Sequence, residues 1–156
     1  SRVEKMMSEG ATFIDVGAYS SKPSAEFVSE KEEIERIIPF IDSIIKHFPN
    51  AILSIDTFRS EVAKACIESG AAIINDISAG LLDDKMLETI AKYKTPYIMM
   101  HMKGTPQTMQ KFIQYDDIVK EILDFFEVQI VAILPCPPPI SRTLTAPCLI
   151  KNSENC

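Results

Sequence analysis

Residues 51–80 read AILSIDTFRSEVAKACIESGAAIINDISAG and contain two apolar runs with one helical segment between them. The runs, Ala51–Ile55 and Ala71–Ile74, are continuous rather than alternating, which is typical of strands buried on both faces. Ser60 is predicted to cap the helix, and Gly70 is predicted to follow its end. A connection of this length between two buried strands is a right-handed crossover. The stretch therefore predicts two parallel strands whose carboxyl ends lie at the same edge of a sheet.

A polar residue follows each of these apolar runs, Asp56 after the first and Asn75 after the second. Because both strands carry their carboxyl ends to one edge, we expect the two side chains to be neighbours. A carboxylate beside a carboxamide offers acceptors and donors in one plane, which suits a flat heterocycle that carries amino and oxo groups. The alternative is that each residue only caps the helix that follows it.

The same order of apolar run and polar tip occurs twice more in the chain. Asp15 follows Ala11–Ile14, and His101 ends a run that starts at Pro96. The spacing of apolar residues predicts helices over residues 29–47, 83–91 and 115–126. Strands that alternate with helices predict an α/β fold with a parallel sheet, and polar residues at four successive strand ends favour a ligand site over helix capping alone.

Composition and motifs exclude several classes of function. The 156-residue chain is 46% hydrophobic, which supports one domain with its own core, and its net charge of −6 argues against a general nucleic-acid-binding surface. It has no GxGxxG, GxxxxGK[ST] or HExxH motif. No apolar run is long enough to span a membrane, so we expect a cytoplasmic protein without a membrane partner. Three of the four cysteines fall at Cys136, Cys148 and Cys156, outside any CxxC pair, so neither a zinc site nor a disulfide framework is predicted.

The two ends of the chain differ from the rest. Residues 1–10 already resemble the end of a helix, so we expect sequence upstream to be missing. Residues 135–156 hold five of the ten prolines, and the run Pro135–Pro139 cannot continue a sheet or begin an ordinary helix. We therefore divide the chain into a domain over 1–127 and an atypical Pro/Cys-rich tail over 128–156. This tail is interpreted as a disordered segment or an altered reading frame, and a Pro-rich binding tail is the alternative.

Four ordered motifs carry a resemblance to a known family. They are DVG at 15–17 with SSKP at 20–23, SIDTFR at 54–59, IINDIS at 73–78 and MMHMKGTP at 99–106. Together they resemble the pterin-binding barrels, and among them most closely the dihydropteroate synthase family. The resemblance implies part of a TIM (β/α)₈ barrel. It also implies a folate-biosynthesis transferase that joins 4-aminobenzoate to 6-hydroxymethyl-7,8-dihydropterin diphosphate with the help of Mg²⁺, and that is a target of sulfonamides.

The resemblance also implies roles for individual residues. Asp56 corresponds to the catalytic carboxylate that faces the pterin and stabilises positive charge as the diphosphate leaves, and Asn75 corresponds to the amide that reads the edge of the ring. Arg59 is expected to form an ion pair near the strand ends rather than to bind substrate.

The remaining substrate-binding residues implied by the resemblance lie at the ends of the first and fourth strands and in the loop after the first. Ser21 and Lys22 fall where the family shapes the aminobenzoate and diphosphate sites, although lysine lacks the fork of the usual arginine. Asp15 matches a strand-end aspartate whose alternative role is to brace that loop. Met99 resembles a residue packed beside the pterin, and an ordinary core methionine is the alternative.

The sequence also departs from the family pattern. The first family strand, with its metal-linked asparagine, is absent, as are the later glycine-rich strand end and the final Arg-x-His pair. No metal ligand is therefore assigned, and we expect an incomplete barrel because about 250 residues are usual for that fold. A methyltetrahydrofolate-binding domain of a corrinoid methyltransferase and a noncatalytic pterin-binding fragment remain alternatives. A homodimer also remains open.

Overall fold

A computed structural model describes residues 1–20 and 26–134 of the chain. In these residues four parallel strands lie in the order β1-β2-β3-β4 and alternate with helices. The strands are β1 (Phe13–Val16), β2 (Ile52–Asp56), β3 (Ile73–Asp76) and β4 (Tyr97–Met99). The helices are α1 (Arg2–Ser8), α2 (Glu30–His47), α3 (Ser60–Glu68), α4 (Met86–Tyr93) and α5 (Ile118–Ile133), with a 3₁₀ turn at Met109–Lys111.

The core lies between one face of the sheet and the helices. Leu53, Ile55 and Ile74 point to this face and are fully buried, together with Ile37 and Ile41 of α2. Val62 and Cys66 of α3 and Met86 of α4 complete the same cluster. Burial of these side chains, each worth about 1.5–3 kcal/mol, holds the helices against the strands.

The other face of the sheet is covered much less in the part of the chain that the structure describes. Phe13 is 53% exposed, Ile52 40% and Ile98 49%, and all three alternate with residues of the buried face. The expectation that the strands are buried on both faces therefore holds for the helix side only. We call this less covered face, which carries Phe13, Ile52 and Ile98, the open face of the sheet.

Two helices begin differently from the expectation. α3 begins at Ser60 itself, and its N-cap residue Arg59 makes no capping hydrogen bond with its side chain. The backbone N–H of Ser60 instead donates to Asp83 Oδ2 at 2.7 Å. Asp83 is the first residue of the helix predicted over 83–91, but α4 begins three residues later, with Lys85 at its N-cap. The carboxylate of Asp83 thus satisfies the first backbone amide of α3, which has no acceptor within the helix.

Helix α5 is longer than predicted. It extends to Ile133 rather than to about Phe126, so the expected boundary at residue 127 falls inside a helix. Five apolar residues and Gln129 follow Glu127 within this helix. Residues 135–156 lie outside the described part of the chain, so the assignment of a separate tail stays a prediction. None of the described helices is long and apolar enough to cross a membrane, and the cytoplasmic location also stays a prediction.

Candidate functional site

Asp56 and Asn75 are direct partners across β2 and β3. The strand register pairs their Cα atoms, and the backbone N–H of Thr57 donates to Asn75 O at 3.1 Å. Residues paired in this way carry their side chains on the same face of the sheet. The predicted adjacency of the carboxylate and the carboxamide is therefore confirmed, at the carboxyl end of the two central strands.

Asp15 joins the same face from β1. It pairs with Ser54, which lies two residues before Asp56 and so shares its face. Ser54 is only 3% exposed, and its hydroxyl finds no hydrogen-bond partner among residues 1–20 and 26–134. The open face thus presents two carboxylates and one amide above a buried hydroxyl that can still make a hydrogen bond.

Gly17 allows the chain after β1 to pass close to Asp56. A Cβ atom at Gly17 would lie 3.3 Å from both the Cβ and the carbonyl oxygen of Asp56, and 3.5 Å from Oδ2. Contacts this short leave little room for a side chain. Glycine at this position therefore keeps the Asp56 carboxylate where the strand register places it.

The electrostatic environment of Asp56 disfavours its charged form. Burial, followed by the negative charges of Asp15, Asp76 and Glu33, raises the pKa of Asp56 to about 6. Carboxylates with raised pKa values are common in functional sites, because the same burial that raises the pKa strengthens the interaction with a cation. Above this pKa the carboxylate is anionic and is stabilised by any positive charge that a ligand brings to the open face.

Asp76, the residue after Asn75, faces the helix side and has a structural role. Its Oδ1 accepts hydrogen bonds from the backbone N–H and the hydroxyl of Ser78 at 2.7 and 2.8 Å. Its Oδ2 accepts from Gly80 N at 2.8 Å and from the Tyr97 hydroxyl at 2.6 Å. The side chain is fully buried. Of the pair Asn75-Asp76, only the asparagine is free to face a ligand.

Met99 is not brought to the predicted site. It pairs with Asp76, whereas its neighbour Ile98 pairs with Asn75. Because side chains alternate along a strand, Met99 shares the helix-covered face and Ile98 shares the face of Asn75. The same alternation places Met100, which is 38% exposed, on the open face. The prediction that Met99 packs beside the ligand is therefore wrong, and its neighbours Ile98 and Met100 lie on the open face instead.

The loop after β1 is described only at its ends. The predicted substrate-binding residues Ser21 and Lys22 lie outside the described residues, so their roles stay predictions. The flanking residues Tyr19 and Val28 are described, and both contact Arg59.

Sequence reasoning missed Glu33, the partner of Arg59. Glu33 Oε2 accepts from Arg59 Nη1 at 2.6 Å, and Oε1 accepts from the Thr57 hydroxyl at 2.9 Å. Glu33 is 1% exposed although it is charged. The signal was present in the sequence, since Glu33 lies four residues before Ile37 and continues the buried stripe of α2. The prediction that Arg59 forms an ion pair is confirmed.

The described residues do not form a metal site of their own. No group of three or more His, Cys, Asp or Glu side chains in 1–20 and 26–134 could hold a metal ion. Asp15 and Asp56 share the open face through the strand register, and Mg²⁺ usually needs further oxygen ligands. The described residues alone therefore do not fit a resident Mg²⁺.

Comparison with known proteins identifies the family. The sequence profile described as "Pterin binding enzyme" matches residues 1–134. The chain belongs to the pterin-binding enzyme family. It is 42% identical over 129 residues to a dihydropteroate synthase of Synechocystis sp., an alignment that covers 83% of this chain and 44% of that protein. It is also 44% identical over 126 residues to a mitochondrial folate synthesis bifunctional protein of Arabidopsis thaliana, covering 78% of this chain and 23% of that protein.

Solved structures of pterin-binding enzymes show the same fold. A Yersinia pestis dihydropteroate synthase, solved as a sulfonamide drug complex, superposes with a TM-score of 0.76 and 37% identity. The superposition covers 84% of this chain and 46% of that chain. The chain therefore spans less than half the length of these relatives. The predicted α/β class and the partial TIM-barrel architecture are confirmed.

Proposed function

We propose that this chain provides the pterin-binding part of a dihydropteroate synthase. In this reaction 4-aminobenzoate and 6-hydroxymethyl-7,8-dihydropterin diphosphate form 7,8-dihydropteroate. The proposal rests on family membership and on relatives named dihydropteroate synthase at 38–42% identity. A Xanthomonas albilineans dihydropteroate synthase at 34% identity and a TM-score of 0.72 was solved with 4-aminobenzoic acid.

One observation carries the proposal: Asp56 and Asn75 are paired in register on the open face of the sheet, and the pKa of Asp56 is raised to about 6. The carboxamide can both donate to and accept from the amino and oxo groups of a pterin. The carboxylate lies beside it, where positive charge on the ring would be closest. Ile98 and Met100 offer apolar surface on the same face for the flat ring.

The proposed chemistry is a substitution at the methylene carbon of the pterin. The bond from this carbon to the diphosphate oxygen breaks, and the electron pair leaves with the diphosphate. The nitrogen of 4-aminobenzoate forms the new bond to carbon and then loses a proton. Anionic Asp56 would stabilise the positive charge that develops on the pterin as the leaving group departs. Asp15, which contributes to the raised pKa of Asp56, would strengthen the negative potential at this position.

Ser21 and Lys22 are proposed to contact 4-aminobenzoate and the diphosphate, as their position in the family motif suggests. A Mg²⁺ ion that arrives with the diphosphate would neutralise charge on that leaving group. Homodimer formation stays a prediction.

The test combines ligand binding with turnover. Titration calorimetry with 6-hydroxymethyl-7,8-dihydropterin diphosphate and Mg²⁺ measures binding, and release of diphosphate after addition of 4-aminobenzoate measures turnover. We expect Asn75→Ala to weaken pterin binding by roughly tenfold, since it removes a hydrogen-bonding group. We expect Asp56→Asn to lower turnover by about 100-fold or more. Asp42→Asn, an exposed substitution on α2, is the matched control and should change neither value.

Each result separates the candidate functions. Wild-type binding and turnover that both variants retain would contradict the proposed site. Binding of methyltetrahydrofolate without turnover would favour the methyltransferase-type domain. No binding of either ligand by the wild-type chain would leave the noncatalytic fragment as the better description.

A further inference from the structure

Arg59 joins two segments that are far apart in the sequence. It follows β2 directly, three residues after Asp56, at the start of α3. Its Nη2 donates to the carbonyl oxygen of Val28 at 2.8 Å. Val28 lies just before α2, at the end of the loop that follows β1. Arg59 therefore connects the strand that carries Asp56 to the far end of that loop.

The guanidinium group also contacts aromatic rings from both ends of the loop. Its central carbon lies 5.0 Å from the centroid of the Tyr19 ring and 5.7 Å from that of Phe27. Phe58 contacts it from the β2 side at 5.3 Å and packs edge-on against Tyr19. Each contact lies within the range in which a cation is attracted to an aromatic ring. Tyr19 stands at the beginning of the loop and Phe27 near its end, so one side chain contacts both.

Glu33 holds Arg59 in this position. The ion pair is 2.6 Å long, with the Glu33 side chain 1% and the Arg59 side chain 12% exposed. The second carboxylate oxygen accepts from Thr57, which is itself in contact with the backbone N–H of Arg59 at 3.3 Å. The planar guanidinium can bond Glu33 and Val28 with different nitrogens while its face meets an aromatic ring. Lysine, with one ammonium group, cannot do all three.

We propose that Arg59 is a positioning residue that fixes both ends of the loop over residues 17–29 beside Asp56. The catalytic part of this inference rests on the proposed function, because Ser21 and Lys22 belong to that loop. Fixing the ends sets where the loop leaves β1 and where it enters α2. Loss of the Arg59 contacts would lower the affinity for the substrate that the loop helps to bind and leave the chemistry at Asp56 less affected.

The first test needs no ligand and is therefore independent of the proposed function. Amide hydrogen exchange, followed by mass spectrometry on the full chain, compares wild type with Arg59→Lys. We expect peptides from 17–29 to exchange about tenfold faster in the variant, as for the loss of a hydrogen bond to a charged group. Peptides from β3 and α4 should be unchanged. Arg36→Lys is the matched control, because Arg36 pairs with Glu32 on the exposed side of α2 and should leave the loop unchanged.

Two results would overturn the proposal. Unchanged exchange in 17–29 would show that Arg59 does not hold the loop, and faster exchange throughout the chain would show a general role in stability. If Arg59→Lys does not fold, Phe27→Leu decides, because Phe27 is 78% exposed and its truncation leaves the Glu33 pair intact. We then expect several-fold faster exchange confined to 17–29, and unchanged exchange would overturn the proposal.

The second test asks whether the loop contact matters for the substrate. Where the wild-type chain turns over, we expect Arg59→Lys to raise the KM for 4-aminobenzoate about tenfold and to change kcat less than about twofold. An equal fall in kcat and kcat/KM would contradict a positioning role. Where the wild type shows no turnover, the proposed function fails, and the exchange experiment still decides whether Arg59 anchors the loop.

Discussion

Replacement of Asp56 by asparagine should stabilise the folded chain at neutral pH. Burial first, and then the carboxylates of Asp15, Asp76 and Glu33, raises the pKa of Asp56 to about 6, so folding is opposed whenever this group is charged. Against an ordinary value of about 4, this pKa corresponds to roughly 3 kcal/mol at 1.36 kcal/mol per pKa unit. Asp56 is only partly buried, and solvent screening reduces the expected gain to about 1–1.5 kcal/mol.

The pH dependence identifies the cause of this gain. Above about pH 6.5 Asp56 is charged in both the folded and the unfolded chain, and Asp56→Asn should show the whole stabilisation. As pH falls, the folded state of the wild type takes up the proton before the unfolded state does, so wild-type stability rises and the difference shrinks. Below about pH 4 the group is neutral in both states, and the difference should vanish.

Urea unfolding of wild type and Asp56→Asn at pH 8 and pH 4 measures the effect, with Asp42→Asn as the exposed control. At pH 8 the free energy of unfolding of Asp56→Asn should exceed that of wild type by about 1–1.5 kcal/mol, and in a parallel thermal melt its melting temperature should be higher by about 3–5 °C. A variant that is less stable than wild type at pH 8, or equally stabilised at both pH values, would refute the assignment of a destabilising charge to Asp56.

Three further changes test the surroundings of the site. Tyr97→Phe removes the hydroxyl that donates to buried Asp76, and urea unfolding should show a free energy of unfolding lower by about 1.5–3 kcal/mol. A decrease below about 0.5 kcal/mol would mean that the Ser78 turn alone holds this carboxylate. Asp83→Ala removes the acceptor for the Ser60 amide and should cost about 1 kcal/mol at pH 7. Burial raises the pKa of Asp83, but the hydrogen bonds from Ser60 and Lys85 outweigh this effect and lower the pKa overall. The stability cost of Asp83→Ala should therefore persist above about pH 5 and shrink below about pH 4. A cost independent of pH would contradict the capping role. Burial, and then the charge of Glu33, raises the pKa of the Cys66 thiol to about 12, so iodoacetamide at pH 8 should label Cys66 in urea but not in the native chain, as measured by peptide mass. Equal labelling in both conditions would show that α3 opens readily.

The sequence by itself determined the order of the elements and the two central site residues. Continuous apolar runs that alternate with helical spacing permit a parallel sheet, and the right-handed crossover then requires Asp56 and Asn75 to meet at one edge. Local sequence patterns and one chirality rule are sufficient for this arrangement. The strand register bears it out.

The tertiary structure alone decided which face each strand-end residue occupies and which partner a buried charge finds. Met99 and Met100 are adjacent methionines in one apolar run, and the sequence does not distinguish them. Pairing with Asp76 turns Met99 towards the helices. Helical spacing places Glu33 on the buried stripe of α2, but only packing supplies Arg59 as its partner. Both outcomes depend on contacts between residues more than twenty positions apart. Local periodicity carries no information on such contacts, because it describes only which side chains share a face of one element.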